Sequence, residues 1–460
     1  MTEKTENLME KIVSLAKRRG FIYQGSEIYG GLAGTWDYGP LGVELKNNIQ
    51  NIWWKRFVTD REDMYGISAA ILMNQNVWKA SGHVGGFADP LVEDLKTKKR
   101  YRADHLLEGA SIDPRGMTIA DMDALIKEKG IKSPEGNALG DVRQFNMMLK
   151  TNIGAVEDDS SVSYLRPETA QGMFVNFKNV VDSFHPKLPF GLAQIGKAFR
   201  NEIAPRDFIF RVRELEQMEI EYFVKEGEWK EHFEKFFDEQ LAYLADLGLT
   251  ASKIHKIDVP AADRAHYSKH SVDTEFDFPF GQKELLGLAY RTDYDLGAHS
   301  KGSGTDLSYF DEETKERFIP HCIEPTFGVG RLILAVLSDA YTEDELGGEP
   351  RTYLKLSPMV APILAAVFPL LKNKPELVKK AREVYTALKK ELGRVVFDDN
   401  GNIGKRYRRQ DEIGTPFCIT VDFDTLGEKP ELLDTVTLRN RDTGEQERVA
   451  IADLISRLKN

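Results

Sequence analysis

Cysteine is nearly absent: Cys322 and Cys418 are the two in a chain of 460 residues, far apart. A disulfide framework or a four-cysteine zinc site is excluded, and a reducing, cytoplasmic setting is expected. Long apolar runs are missing too. Nothing approaches the roughly 18 residues of a membrane span, so no membrane partner is expected. The N-terminal stretch MTEKTENLMEKIVSLAKRRG is charged and helix-like, without the apolar core of a signal peptide. Positive charge is not in excess. A net charge of −11 argues against a dedicated nucleic-acid binder, although local basic patches can still hold RNA. No Gly-x-x-x-x-Gly-Lys-Ser/Thr occurs, so a P-loop fold is not expected. Internal repeats and low-complexity tracts are also lacking.

What is present is an ordinary globular composition, 41% hydrophobic and 29% charged, long enough for two or three domains. Leu8, Ile12, Leu15 and Ala16 predict a first helix. A Gly-rich segment from Gly25 to Gly42 leads into a second, over Val43 to Val58. Gly66 to Met73 reads as a buried strand. From Ala88 to Met148 the pattern weakens, which suggests an insertion with a helix over Ile119 to Lys129. Strands are expected at Ser163 to Arg166, Leu192 to Gly196, Asp273 to Phe278 and Glu284 to Arg291, and helices over Ala170 to Val181 and Arg331 to Ala340. Lys197 to Ile203 and Phe210 to Phe223 predict a long antiparallel hairpin. Ala340 to Pro350 reads as a linker. Beyond Leu354, strands at Ala365, Arg394 and Phe417 alternate with helices at Pro375 and Ile403, the rhythm of a small α/β domain.

Chemistry concentrates at arginines and glutamates. Arg200 and Glu202 stand two apart on the expected hairpin, and Arg211, Leu215 and Glu219 share even spacing on its return strand. An isolated Arg-x-Glu is ordinarily an inert salt-bridge ladder. Here it is one of several such pairs. Arg166 and Glu168 flank a strand-to-helix junction, Glu284 and Arg291 lie on a later strand, and Glu324 precedes Gly328-Val329-Gly330-Arg331. Arginines at several strand ends suit a polyphosphate, whose oxygens accept bidentate hydrogen bonds. Near the C-terminus, the segment Gly401 to Gln410 holds Lys405, Arg406, Arg408 and Arg409 around Tyr407 and no negative charge. Such a run is either a solvated face or a site for phosphates and stacked bases.

Together these segments resemble a known family. FRNE with FRVRE is similar to motif 2 of the class II aminoacyl-tRNA synthetases, GVGR to motif 3, and GPLGVELKNNIQNIWWKRF to motif 1. YGPLG, ASGH, YRADH, RPETAQG, FPFG, ELLGLAYRTDYDL, EPTFG and GNIGKRYRRQDEIGTPF resemble the glycyl-tRNA synthetases of the homodimeric type. The resemblance spans nearly the whole chain. It implies an α+β protein: a mixed, mainly antiparallel sheet flanked by helices over 1–87 and 149–345, an insertion over 88–148, and a C-terminal α/β domain of the anticodon-binding type over 354–460. It implies ATP-dependent attachment of glycine to tRNA(Gly) through a glycyl-adenylate, with release of AMP and pyrophosphate.

By motif position the resemblance assigns ATP to Arg200, Asn201, Glu202, Phe210, Arg211, Leu215, Glu284, Leu285, Gly328 and Arg331, with Arg200 and Arg331 catalytic. Glu284 would act through Mg²⁺. Glycine falls to Arg102, Glu168, Glu219, Arg291, Glu324 and Thr326, with three glutamates around its ammonium and Thr326 crowding its Cα. Lys405, Arg406, Arg408 and Arg409 would meet tRNA. The implied partners are glycine, tRNA(Gly) and a second copy of the chain. Two positions depart from the family's pattern: Leu215 replaces an adenine-stacking aromatic, and Gln75 lies where a proline is frequent. Trp53 and Trp54 read as core or interface, and His83 as a loop residue outside the site. The alternatives are a synthetase of the same class for threonine, proline or histidine, and a non-catalytic relative, which would typically lack the ATP-binding arginines.

Overall fold

The computed structural model describes residues 2–114, 116–158 and 161–459, with side chains from Leu8 onward. Seven strands form the main sheet: β1 (Met64–Gly66), β2 (Phe190–Phe199), β3 (Glu214–Val224), β4 (Ile254–Asp258), β5 (His270–Phe278), β6 (Gly281–Thr292) and β7 (His321–Gly328). Their spatial order is β4-β5-β6-β7-β3-β2-β1. All neighbours are antiparallel except β1, which runs parallel to β2. The mixed, mainly antiparallel sheet expected from the sequence is therefore present.

Helices α1 (Thr2–Arg18), α2 (Pro40–Trp54), α3 (Trp229–Asp246) and α4 (Val329–Ala340) contribute to the largest apolar cluster, which covers one face of the sheet. Helix α2 starts on a proline at its first turn, where no intrahelical N–H bond is lost. It buries Leu45, Ile49 and Trp53 on one stripe. The Trp53 ring meets Phe57 and Phe327, so it is core. The opposite face is apolar at one end, where Phe190, Leu192, Phe223 and Cys322 pack with Phe174 and Phe177. Farther along, that face carries Gln194, Glu219, Glu324 and Thr326.

The insertion has its own three-stranded sheet, with Ala88–Glu93 central, and a small core including Val92, Leu107, Met122 and Ile126. The C-terminal region holds β8 (Ala365–Pro369), β9 (Val395–Phe397), β10 (Phe417–Val421), β11 (Thr435–Asn440) and β12 (Gln446–Ala450), ordered β9-β8-β10-β11-β12. The first three are parallel, with helices α5 (Pro375–Leu392) and α6 (Ile403–Glu412) between them in sequence. The last two strands are antiparallel.

Several expectations are corrected. The segment from Gly66 to Met73 is not a buried strand: it pairs only to Gly66 although β2 continues to Phe199, because side chains take over its backbone, Gln194 accepting the Ala69 N–H and Arg166 donating to the Ala69 carbonyl. Leu192 to Phe199 is one continuous strand, and the paired part of the hairpin ends there. Residues 200–213 form the connecting loop, held by Arg200 N–H to Arg213 O and by an Arg206–Arg211 bridge. The expected helix over Ala170 to Val181 is two, Ala170–Phe174 and Phe177–Phe184. The expected linker is a β-hairpin, Tyr341–Leu346 with Glu349–Leu354. Gly347 and Gly348 make its turn at φ of 66° and 79°, a conformation that glycine adopts without strain.

Candidate functional site

Strand alternation builds the site. Glu219 on β3 lies between Gln194 of β2 and Thr326 of β7, and Thr326 in turn faces Gly287 of β6. One step deeper, the same register sets Glu221 beside Glu324. These side chains share one face because they are spaced by two along their strands. Glu219, Glu221 and Glu324 each present an oxygen within 4.8 Å of the others, all buried. Among the described residues this is the one such group of three potential cation ligands, and its geometry suits an ammonium as well as a metal ion.

Around it stands a ring of polar groups. Glu168 is within 3.2 Å of His83 Nε2 and accepts a 2.9 Å bond from Gln171. Gln171 also donates to Asp295 at 3.0 Å. Arg291, fully buried, donates to Asp295 through Nε and Nη2 and to Glu324 through Nη1. Its charge is thus already shared by two carboxylates. Thr169 donates to Glu219 Oε2, and the Thr326 hydroxyl lies 3.1 Å from Glu219 and 3.0 Å from Glu324. A hydroxyl has one proton to give. It can satisfy one of those two carboxyls at a time, and a proton on the other would let it donate back to Thr326.

Electrostatics agree. Burial and the neighbouring Glu324 push the Glu219 carboxyl up to about 8. Burial raises Glu324 as well, with Arg291 opposing, and raises Glu221 well above the usual range. Burial would also raise Glu168, but His83 and Arg291 outweigh it and hold that carboxyl low. The pocket is short of positive charge, which a substrate cation would supply.

Thr326 also lines a cavity of about 480 Å³, so the acidic pocket adjoins it. Arg200, Arg206, Arg211, Arg331, Lys197 and Lys283 line it, interleaved with the carboxylates of Glu202, Asp207, Glu214, Glu216 and Glu284, while Phe210, Leu215, Leu285 and Gly328 are apolar. Arg200 is held by the Pro167 carbonyl at 3.0 Å and sits over the Phe87 ring. Arg211 donates to Glu202 at 2.6 Å. Arg331 pairs with Glu284 at 3.1 Å and lies 4.5 Å from the centre of the Phe210 ring. That arginine holds Glu284 below its ordinary range, while burial and the nearby Glu284 push Asp273 up to about 7. Gly196 admits the Arg166 brace: a Cβ there would stand 2.2 Å from the guanidinium. Arg166 in turn donates to Lys197 and Ala69 carbonyls, tying the hairpin to the pocket wall.

The structure thus gathers two groups. Glu168, Glu219, Arg291, Glu324 and Thr326 meet in the acidic pocket. Arg200, Glu202, Phe210, Arg211, Leu215, Glu284, Leu285, Gly328 and Arg331 line the cavity. Arg102 lines the cavity too, bonded to Asp89 and Asp104, on the side of Arg211 rather than with the glutamates. Asn201 ties the hairpin loop to the insertion through its N–H and the Met147 carbonyl. His83, Gln171, Glu221 and Asp295 were missed by sequence reasoning. His83 had a signal, the quoted ASGH segment, and was set aside as a loop residue. The structure buries it against Glu168.

The basic helix α6 is corrected most. Arg406 is 1% exposed and donates to the carbonyls of Pro369, Asp399 and Gly401. It cannot reach an RNA backbone, because every fourth residue of this helix faces the sheet. Tyr407 packs on Phe368 and shares a hydrogen bond with Thr420, so it is not a free stacking ring. Lys405 is exposed, and Arg408 and Arg409 are partly so. Arg409 is held by Asp398 at 2.6 Å.

Comparison with known proteins places this geometry. Residues 155–340 match the tRNA synthetase class II core domain (G, H, P, S and T), and residues 365–460 match the anticodon binding domain. A glycine--tRNA ligase of Caldanaerobacter subterraneus subsp. tengcongensis is 51% identical over 451 residues, 96% of each chain. That of Deinococcus radiodurans is 49% identical over 97% of each chain. Among solved structures, Giardia lamblia prolyl-tRNA synthetase in complex with prolyl-adenylate aligns with TM-score 0.69 at 16% identity, covering 98% of this chain and 75% of that one. The last likeness concerns fold alone.

Proposed function

The chain belongs to the glycine–tRNA ligases of class II, and from that premise we propose how its residues divide the work of joining glycine to tRNA. The observation that carries the reading is an acidic, cation-poor pocket that adjoins an arginine-lined cavity. Glycine offers an ammonium, a carboxylate and no side chain. Its ammonium enters among Glu168, Glu219 and Glu324, and Thr326 leaves no room for a Cβ. ATP lies in the cavity, with Arg200 on the α-phosphate, Arg211 on the outer phosphates, and Arg331 with Phe210 and Leu215 at the base.

A glycine carboxylate oxygen attacks the α-phosphorus. The bond to the β-phosphate oxygen breaks, pyrophosphate leaves, and glycyl-adenylate remains. The terminal tRNA hydroxyl then attacks the carbonyl carbon and AMP departs. The first step needs alignment and positive charge more than acid–base help. The cavity wall supplies both, with no nucleophilic serine or histidine. Glu284, which lines the cavity, would be the residue to hold Mg²⁺, which would neutralise phosphate charge there. Because Arg291 is bonded to Asp295 and Glu324, its part is to aim Glu324, and glycine's carboxylate is left to Arg200. Arg102 joins Arg211 at the phosphate end.

We read the chain as a catalytic domain over 1–87 and 149–345, an insertion over 88–148 and an anticodon-binding domain over 354–460. Lys405, Arg408 and Arg409 offer phosphate contacts to tRNA(Gly), and Arg406 holds the helix that carries them. A homodimer accounts for Ile28 and Tyr29, 89% and 88% exposed in the Gly-rich segment. A cytoplasmic setting suits the two buried free thiols, and among the described residues no helix is long and apolar enough to cross a membrane.

Pyrophosphate exchange with each standard amino acid, followed by tRNA charging, tests the reading. Glycine alone should support exchange. Exchange driven equally by alanine or threonine would overturn the pocket assignment. Arg409→Ala should weaken charging and spare exchange, and equal loss of both would remove α6 from the tRNA surface.

A further inference from the structure

We propose that Glu221 is a positioning residue for the glycine ammonium site, holding Glu219 and Glu324 in place from beneath the pocket while the Cys322 thiol holds Glu221. This rests on the assignment of Glu219 and Glu324 to the ammonium.

Glu221 is fully buried, one step deeper along β3 than Glu219. A carboxyl in such a place is costly unless it is hydrogen-bonded or protonated. One oxygen, Oε2, accepts from Cys322 Sγ at 2.9 Å. The other, Oε1, has no hydrogen-bond partner and is fully enclosed. The neighbours that approach within 4.8 Å are the carboxyls of Glu219 and Glu324. Arg291, shared between Glu324 and Asp295, offsets only part of the repulsion among three adjacent anions. A neutral acid at 221 resolves this, since it removes one charge and leaves a single O–H facing the two carboxyls above, able to donate to one of them. Burial and Glu324 raise Glu221 well above the ordinary range, consistent with that state, and burial likewise keeps the Cys322 thiol protonated as a donor. The floor of the pocket is therefore a neutral acid beneath two carboxyls, one of which it can hold through its single O–H. It aims their free lone pairs upward at the substrate, and Glu221 itself does not touch glycine.

The facing groups are accounted for. Arg291 is bonded to Asp295 and Glu324, and Glu168 to His83 and Gln171. Arg291 and His83 spend their hydrogen bonds on Asp295, Glu324 and Glu168, which leaves the acid's own proton as the donor.

The test is glycine-dependent pyrophosphate exchange on the full chain, reading KM for glycine and for ATP separately. Glu221→Gln keeps a neutral donor and should stay within about twofold of the parent in KM for glycine. Glu221→Leu removes the donor and should raise that KM about tenfold, with KM for ATP unchanged. Cys322→Val removes the anchor and should raise it about threefold, and it decides the matter if Glu221→Leu does not fold. Equal losses in Glu221→Gln and Glu221→Leu would mean that charge is needed, and would overturn the proposal. So would an unchanged KM in both Glu221→Leu and Cys322→Val. Glu219→Gln separates the two levels. If it raises KM for glycine while the Glu221 variants do not, the positioning role alone fails. If it too leaves KM unchanged, the ammonium site is misassigned and the proposal falls with it.

Discussion

Glycine binding should be strongly pH-dependent, and the structure gives its sign and size. The Glu219 carboxyl is pushed up to about 8 in the empty pocket by burial and by Glu324. The Thr326 hydroxyl, placed between Glu219 and Glu324, can donate to one of them and accept from the other when that one is protonated. An ammonium prefers the ionised carboxylate, so binding at neutral pH must expel that proton. The competent fraction of the pocket is then about one in eleven at pH 7 and rises to roughly three in four at pH 8.5. Apparent affinity scales with that fraction, so KM for glycine should rise about 25-fold from pH 8.5 to pH 6.5. KM for ATP should stay level. The same shift bears on stability. A carboxyl raised from 4.5 binds its proton more tightly folded than unfolded, so its contribution is full below 4.5 and is lost as pH rises through about 8. Glycine should therefore raise Tm more at pH 8.5 than at 6.5. Steady-state exchange across this range supplies the profile, and calorimetry in buffers of different ionisation enthalpy counts the proton released. Glu219→Gln should flatten the profile at a high KM. A level profile in the parent, or a KM that falls on acidification, would refute the reasoning.

Arg406→Ala should destabilise the C-terminal region by about 2–4 kcal/mol, since buried carbonyls lose their donor. Urea denaturation would show it, and Arg409→Ala, whose side chain is one-third exposed, should change stability by less than about 1 kcal/mol. Leu215→Phe adds a ring to the apolar wall of the cavity and should lower KM for ATP three- to tenfold, about 0.5–1.5 kcal/mol; unchanged affinity would mean that the base lies elsewhere. Thr326→Gly should admit alanine-dependent exchange, because one methyl group is worth about 1–3 kcal/mol in such a pocket. Continued rejection of alanine would place the steric gate on another residue.

Much of this protein was legible along the chain because its signals are local. The stripe of α2, the Pro375 helix start, the arginines of the hairpin and the order of the glutamates all depend on spacing within one element. The starts of α5 at Pro375 and of β10 at Phe417 are local signals of the same kind. Other features depend on what lies across the sheet. Spacing put Glu219 on a face, but it took the register of β3 against β7 to set it beside Thr326 and Glu324 and so crowd its proton. Arg406 and Arg409 look alike in the basic run. Helix rotation against β8 buries one and leaves the other partly in solvent, which separates a structural arginine from a candidate RNA contact. His83 and Asp295, more than two hundred residues apart, meet in the acidic pocket through Glu168, Gln171 and Arg291. No one-dimensional pattern encodes that meeting, because the energy of a buried charge is decided by the groups that folding brings to surround it.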